Sequence, residues 1–215
     1  FSRQLSAYFG ASHEQREGAR PFGGPFFFAY IAPGLGGAYE TPRPIDDSTF
    51  NFNGGLRYAG NEWNFDVGYS ASMFRNGSRR FSYEVPFGFA ALVPGFDNFP
   101  LTLGEFAYEP ENDYHNIRAT ATRKLEGNGQ FSLTASYSTS RQDDDLLAPM
   151  NCASGNQFGL TVAPFAFDCS DWNTTAALSQ RSADLKIDST LVNARLVLQP
   201  ADRVTVQGNL KYHRQ

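Results

Sequence analysis

Thr49-Phe50-Asn51-Phe52-Asn53-Gly54-Gly55-Leu56-Arg57-Tyr58, a break at Ala59-Gly60-Asn61-Glu62, then Trp63-Asn64-Phe65-Asp66-Val67-Gly68-Tyr69-Ser70-Ala71-Ser72-Met73-Phe74-Arg75: this stretch decides the fold. Apolar and polar residues alternate on both sides of the break. A period of two is that of a β-strand with one apolar and one polar face. Gly60 and Asn61 tolerate the backbone angles of a tight turn. Folding there sets Tyr58 opposite Trp63, Leu56 opposite Phe65 and Phe52 opposite Tyr69, with all six on one face. The prediction is a long hairpin, apolar on one side and polar on the other.

The pattern recurs along the chain. Predicted strands cover about 3–14, 49–59, 63–75, 114–125, 130–142, 188–199 and 203–214. In the second hairpin Leu125 is expected opposite Phe131, across a turn at Glu126-Gly127-Asn128-Gly129. Arg123 falls on the apolar side beside that turn, where a long side chain can snorkel to a membrane boundary. The third turn centres on Pro200-Ala201-Asp202. Between the hairpins lie long stretches without the alternation. Gln15 to Asp47 holds Pro21, Pro33, Pro42 and Pro44 and many glycines, and reads as a loop that cannot hold a ladder. Asn76 to about Asp113 is rich in proline but also in phenylalanine (Phe87, Phe89, Phe96, Phe99, Phe106), which suggests a folded loop with its own packing. A third loop runs from about 143 to 187.

Tight turns near 60, 127 and 201 fall on one rim and the long loops on the other. That is the layout of an outer-membrane barrel. A strand of ten to twelve residues at about 3.3 Å each, tilted near 45°, covers the roughly 25 Å of the apolar band. The fold class expected is therefore all-β: an antiparallel transmembrane β-barrel, with residues 1–215 forming one segment of a single barrel domain. Bacterial single-chain barrels have an even strand number, so seven strands with ragged ends read as part of something larger. A soluble β-sandwich also alternates, but its strands run about five or six residues.

Composition agrees. The 215 residues include Phe 20 and Tyr 10, yet only 19% are charged, against about 25% in soluble domains. Mean hydropathy is -0.41, and no run of about 18 apolar residues marks a transmembrane helix. No basic-then-apolar leader is visible at the N-terminus. A formal net charge of -4 argues against a nucleic-acid binder, which would show a basic face.

The expected lipid-facing set is Phe50, Phe52, Leu56, Tyr58, Trp63, Phe65, Val67 and Tyr69. The expected lumen-facing set is Asn51, Asn53, Arg57, Asn64, Asp66, Arg118, Arg195 and Lys211, joined by Lys124. It is polar and mixed in sign, and suits water or a polar protein surface. Cys152 and Cys169 share one loop and form a disulfide candidate in an oxidising compartment. Asp143-Asp144-Asp145 offers oxygen ligands that could take Ca²⁺, or is simply a solvated acidic loop mouth. His13, His115 and His213 have no metal-ligand neighbours at useful spacing. With no Cys-x-x-Cys-His, no Gly-x-Ser-x-Gly and no phosphate loop, neither an enzyme nor a cofactor of this chain's own is expected.

Several stretches, in consistent order, resemble the MtrB/PioB family of decahaem-cytochrome-associated outer-membrane barrels. They are Arg16-Glu17-Gly18-Ala19-Arg20-Pro21-Phe22-Gly23-Gly24, then Glu40-Thr41-Pro42-Arg43-Pro44-Ile45-Asp46 before Thr49, then Gly68-Tyr69-Ser70-Ala71-Ser72-Met73-Phe74-Arg75-Asn76. Glu109-Pro110-Glu111-Asn112 and Gln142-Asp143-Asp144-Asp145-Leu146-Leu147 follow. The matches spread over about 1–150, with a weaker echo in 183–213. The resemblance implies an outer-membrane, porin-like sleeve in contact with lipid. It implies a periplasmic multihaem c-type cytochrome held inside for extracellular electron transfer, with an outer-surface cytochrome as a further candidate partner. Haem is then expected only in the partner. The alternative is a general channel, or a plugged transporter barrel for a solute.

Overall fold

The computed structural model describes residues 4–25, 38–84, 103–148 and 174–215. Nine strands occur among them: β1 Leu5–Pro25, β2 Ala38–Ala59, β3 Trp63–Asn76, β4 Arg80–Glu84, β5 Leu103–Ala107, β6 Asn112–Leu125, β7 Gly129–Gln142, β8 Leu185–Ala201 and β9 Val204–Arg214. Seven form one sheet in the order β1-β2-β3-β6-β7-β8-β9, and every neighbouring pair is antiparallel. The sheet is an open arc of a barrel wall with β1 and β9 at its edges. β4 and β5 make a separate two-stranded hairpin between β3 and β6.

The seven alternating segments of the sequence are the seven strands of the sheet. Their pairing differs from expectation in two hairpins. The first closes on a two-residue loop, Asn61-Glu62, with the Gly60 N–H donating to the Trp63 carbonyl at 2.8 Å. Tyr58 therefore pairs with Phe65, Leu56 with Val67 and Phe52 with Ala71. In the second, Gly127 (φ 65°) and Asn128 (φ 60°) take the left-handed conformation. Leu125 then lies opposite Gly129, and Phe131 opposite Arg123. Both corrections are shifts of two residues, so no side chain changes face. In the third hairpin a register shift between Leu198 and Ala201 absorbs Pro200, and the turn is Asp202-Arg203.

The larger correction concerns 15–47. The expected loop is instead a continuation of the ladder: β1 and β2 stay paired without a register shift from Leu5↔Tyr58 to Pro25↔Ala38. Four prolines lie inside this ladder, and strand parity explains how. Backbone groups of successive residues point to opposite edges of a strand. The Asp46 carbonyl accepts from Gly77, beyond β3, and the Ala59 N–H donates to Gln4, in front of β1. Even-numbered residues of β2 therefore face away from β1. Pro42 and Pro44 are even, and opposite Pro42 stands Pro21. In the same parity, Pro21 and Pro25 of β1 also face away from β2. All four missing N–H groups fall where the β1–β2 ladder makes no bond. β2 loses its other neighbour at Asp47↔Asn76, so this extension is a free two-stranded ribbon. Proline is tolerated at such edges.

The described part of the 76–113 loop carries its own packing, while Phe87, Phe89, Phe96 and Phe99 lie outside the described residues. Among the described residues the buried apolar ones are Ala71, Phe81 and Tyr108, and the last two belong to this region. The sheet itself has no second layer among the described residues. The chain's small aromatic core sits at the loop rim, where β4–β5 meets the β1–β2 ribbon.

Candidate functional site

The registers place every strand's apolar phase on one face of the sheet. One row runs Leu5–Tyr58–Phe65–Ala121–Leu133–Ala194–Leu210 across all seven strands. The expected lipid-facing set shares this face, and it lies bare: Phe9 is 87% exposed, Leu56 52%, Val67 46%, Ile117 52% and Leu210 74%. A soluble monomer rarely leaves so large an apolar surface open. Rings pack along it, with Trp63 stacked on Phe65 at 5.6 Å and Tyr58 and Phe65 at 6.2 Å. Arg123 lies beside the short turns with its guanidinium 5.3 Å from the Trp63 ring. A cation held over an aromatic suits a membrane–water boundary. His115 also lies on this face, 2.6 Å from the Tyr69 hydroxyl.

The opposite face holds the expected lumen-facing set. Asn51 pairs with Ser72, Asn53 with Ser70, Arg57 with Asp66 and Asn64 with Thr122, while Arg118 lies opposite Gly68 and Ser136. Arg195 and Lys211 join it from β8 and β9, beside Asn209 and Asn193. Between the charged residues the wall is mostly Ser, Thr, Asn and Gly. Asp66 is its electrostatic centre. It accepts from Arg57 Nε at 3.0 Å and from the Tyr8 hydroxyl at 3.4 Å, and lies 4.0 Å from Arg118.

Parity puts Tyr8 on the polar face, and its tertiary contacts set its role. Its ring lies across β2 and β3 in the space left by two glycines. A Cβ on Gly55 would stand 2.8 Å from the Tyr8 Cζ, and one on Gly68 would stand 2.7 Å from its hydroxyl. The glycines are there for close approach. Beside them a cavity of about 250 Å³ opens among Tyr8, Asn53, Ser70, Asn116 and Arg118.

The loop rim holds a second polar centre. Glu109 accepts from Arg43 at 2.7 Å and from Arg20 at 2.9 Å. Arg43 is buried and lies 4.3 Å from the Tyr108 ring centroid, and Tyr108 donates its hydroxyl to the Pro44 carbonyl at 2.6 Å. Phe22 packs on Phe106 at 4.9 Å and Phe81 at 5.4 Å. These contacts clasp the β1–β2 ribbon to β4–β5. Burial works against the Glu109 carboxylate, but its own backbone N–H and the guanidiniums of Arg43 and Arg20 outweigh it. The carboxyl is held below its usual range.

The aspartate run does not converge. Asp145 pairs with Arg181 at 3.2 Å, the Asp144 carboxylate accepts the Glu111 N–H at 2.7 Å, and the Asp143 carbonyl accepts from Ser182 at 2.8 Å. Among the described residues no three metal-ligating side chains gather at one point. Cys152 and Cys169 lie outside the described residues.

A single antiparallel sheet, apolar on one face and polar on the other, with short turns on one rim and clasped hairpins on the other, defines the wall of a transmembrane β-barrel. The family model described as "Putative outer membrane beta-barrel porin, MtrB/PioB" matches residues 1–215, and the chain belongs to that family. It is an outer-membrane protein in contact with lipid. No curated protein matches the chain.

Proposed function

We propose that the barrel is a sleeve that holds a periplasmic multihaem c-type cytochrome across the outer membrane for extracellular electron transfer. In this reading the apolar face meets lipid and the polar face lines the interior. The observation that carries it is the texture of the polar wall. Thr120, Thr122, Ser132, Thr134, Ser136 and Ser138 form a field of short hydroxyl side chains over β6 and β7. Such a surface is flat enough for a folded protein to lie against, and offers hydrogen bonds without a narrow selective ring. The barrel contributes insulation from lipid and a fixed geometry, and no redox chemistry. The family's porin description favours a second reading, an open solute channel.

A mild-detergent pull-down of the full-length protein, followed by a haem stain and an absorbance spectrum, separates the two. A stoichiometric c-type haem partner is the expected result. A haem-free preparation that conducts in planar bilayers would overturn the sleeve and leave the channel.

A further inference from the structure

The charge on the polar wall is not balanced. A row across the sheet, His13–Phe50–Met73–Asp113–Arg141–Lys186, marks where the polar and apolar phases give way to the charged loop rim. Between this row and the short turns, the charged residues of the polar phase are Arg57, Arg118, Lys124, Arg195 and Lys211 against Asp66 alone, among the described residues. Yet the whole chain carries a formal charge of -4. Acids gather at the two rims instead: Asp46, Asp47, Glu109, Glu111, Asp113, Asp143, Asp144, Asp145 and Asp184 stand at the loop rim, and Glu62, Glu126 and Asp202 in the short turns.

Asp66 is also spent internally. Its side chain is 20% exposed, while those of Arg57 and Arg118, which it bridges, are 61% and 58% exposed. Among the described residues Arg195 donates to the neutral Gln207, at 3.3 Å, and faces no carboxylate. The wall therefore presents cations outward and keeps its carboxylate back. A curved wall backed by lipid has low dielectric behind it, which concentrates the field on the interior side.

We propose that the polar wall is a cationic docking surface, and that the protein it holds presents an acidic face to it. This deepens the sleeve reading and rests on it for the side of the sheet that faces inward. Charge complementarity of this kind fixes register and rejects wrong partners. Asp66 positions Arg57 and Arg118 for that contact.

The test compares full-length wild type with a variant carrying Arg118→Gln, Arg195→Gln and Lys211→Gln, both isolated from outer membranes with any bound protein. Heat-modifiable electrophoretic mobility checks that the variant barrel is folded. The expected result is at least about a ten-fold fall in retained partner, equivalent to about 1.4 kcal/mol. Wild type should also release its partner between 0.15 and 1 M salt, as the screening length shortens from about 8 to about 3 Å. Should the triple variant misfold, Lys211→Gln alone and the wild-type salt titration carry the test. A partner retained equally by the variant and at high salt would overturn the proposal, and so would a barrel that isolates alone. The haem stain reports separately on the sleeve. A haem protein that stays bound regardless of charge sinks only the docking surface. A haem-free partner lost on neutralisation sinks only the cytochrome.

Discussion

At the scale of the residue, two positions show how this sheet uses contacts that a two-letter pattern cannot express. Gly55 and Gly68 are polar-phase positions under the Tyr8 ring: at Gly68 the Tyr8 hydroxyl occupies the space of a side chain, and at Gly55 the Val67 carbonyl stands nearer still than the ring. Gly68→Ala should push that ring off Asp66 and destabilise the barrel by about 1–3 kcal/mol, the usual cost of overpacking. Denaturant unfolding in detergent micelles measures it, and Tyr8→Ala in the same chain should remove most of the penalty. Glu109 makes the second case. Its folded carboxyl titrates below the unfolded one. Its contribution is therefore complete above the unfolded value of about 4.3 and is lost as pH falls through the lower folded value. Proteolysis of the β4–β5 region should speed up in that acid window, and Glu109→Gln should cleave as fast at neutral pH as wild type does in acid. An unchanged wild-type rate down to pH 3 would refute this.

At the scale of the element, the β1–β2 ribbon and the β4–β5 hairpin form a unit distinct from the membrane wall. The ribbon continues past the end of β3, and is held by Phe22, Arg20, Arg43 and Tyr108 rather than by further strands. Phe22→Ala should weaken this clasp by about 1–3 kcal/mol, as loss of a half-buried aromatic does. Amide hydrogen exchange should then rise in 80–84 and 103–107 and stay unchanged in β6 and β7. A uniform rise across all strands would mean that the clasp and the wall unfold together. Composition hid the ribbon, because proline density normally argues against a ladder. Only the phase of the prolines, all on the free edges, makes the ribbon compatible with them.

At the scale of the whole molecule, the two faces make opposite demands. Val67→Lys places a charge on the middle of the apolar wall, and should cost about 2–4 kcal/mol in a bilayer. Ser136→Lys, on the opposite wall at a comparable depth, should fold with nearly wild-type stability. Refolding into lipid vesicles across a urea series compares them. A larger penalty for Ser136→Lys would show that the faces are assigned the wrong way round, and equal penalties would show that neither face is set apart by lipid. The same asymmetry explains why the described residues hold so small a conventional core. Lipid takes the place of a second protein layer, and the buried aromatics retreat to the rim, where water would otherwise reach them.

The alternation of Phe50 to Tyr58 and Trp63 to Met73 by itself determined the class of fold, the seven strands of the sheet and the face of each side chain. It could do so because side-chain direction in a strand depends only on parity, and parity survives a register error of two. The tertiary structure alone decided the registers, since Asn61-Glu62 and Gly127-Asn128 close their turns more tightly than residue spacing reveals. It alone joined Arg20, Arg43 and Glu109, which lie up to 89 positions apart. It also decided which charges the polar wall presents, although parity alone already sets five cations against one carboxylate there. The sign of a surface depends on which charges are neutralised within it, and Asp66 is drawn back between Arg57 and Arg118 only once β2, β3 and β6 are side by side.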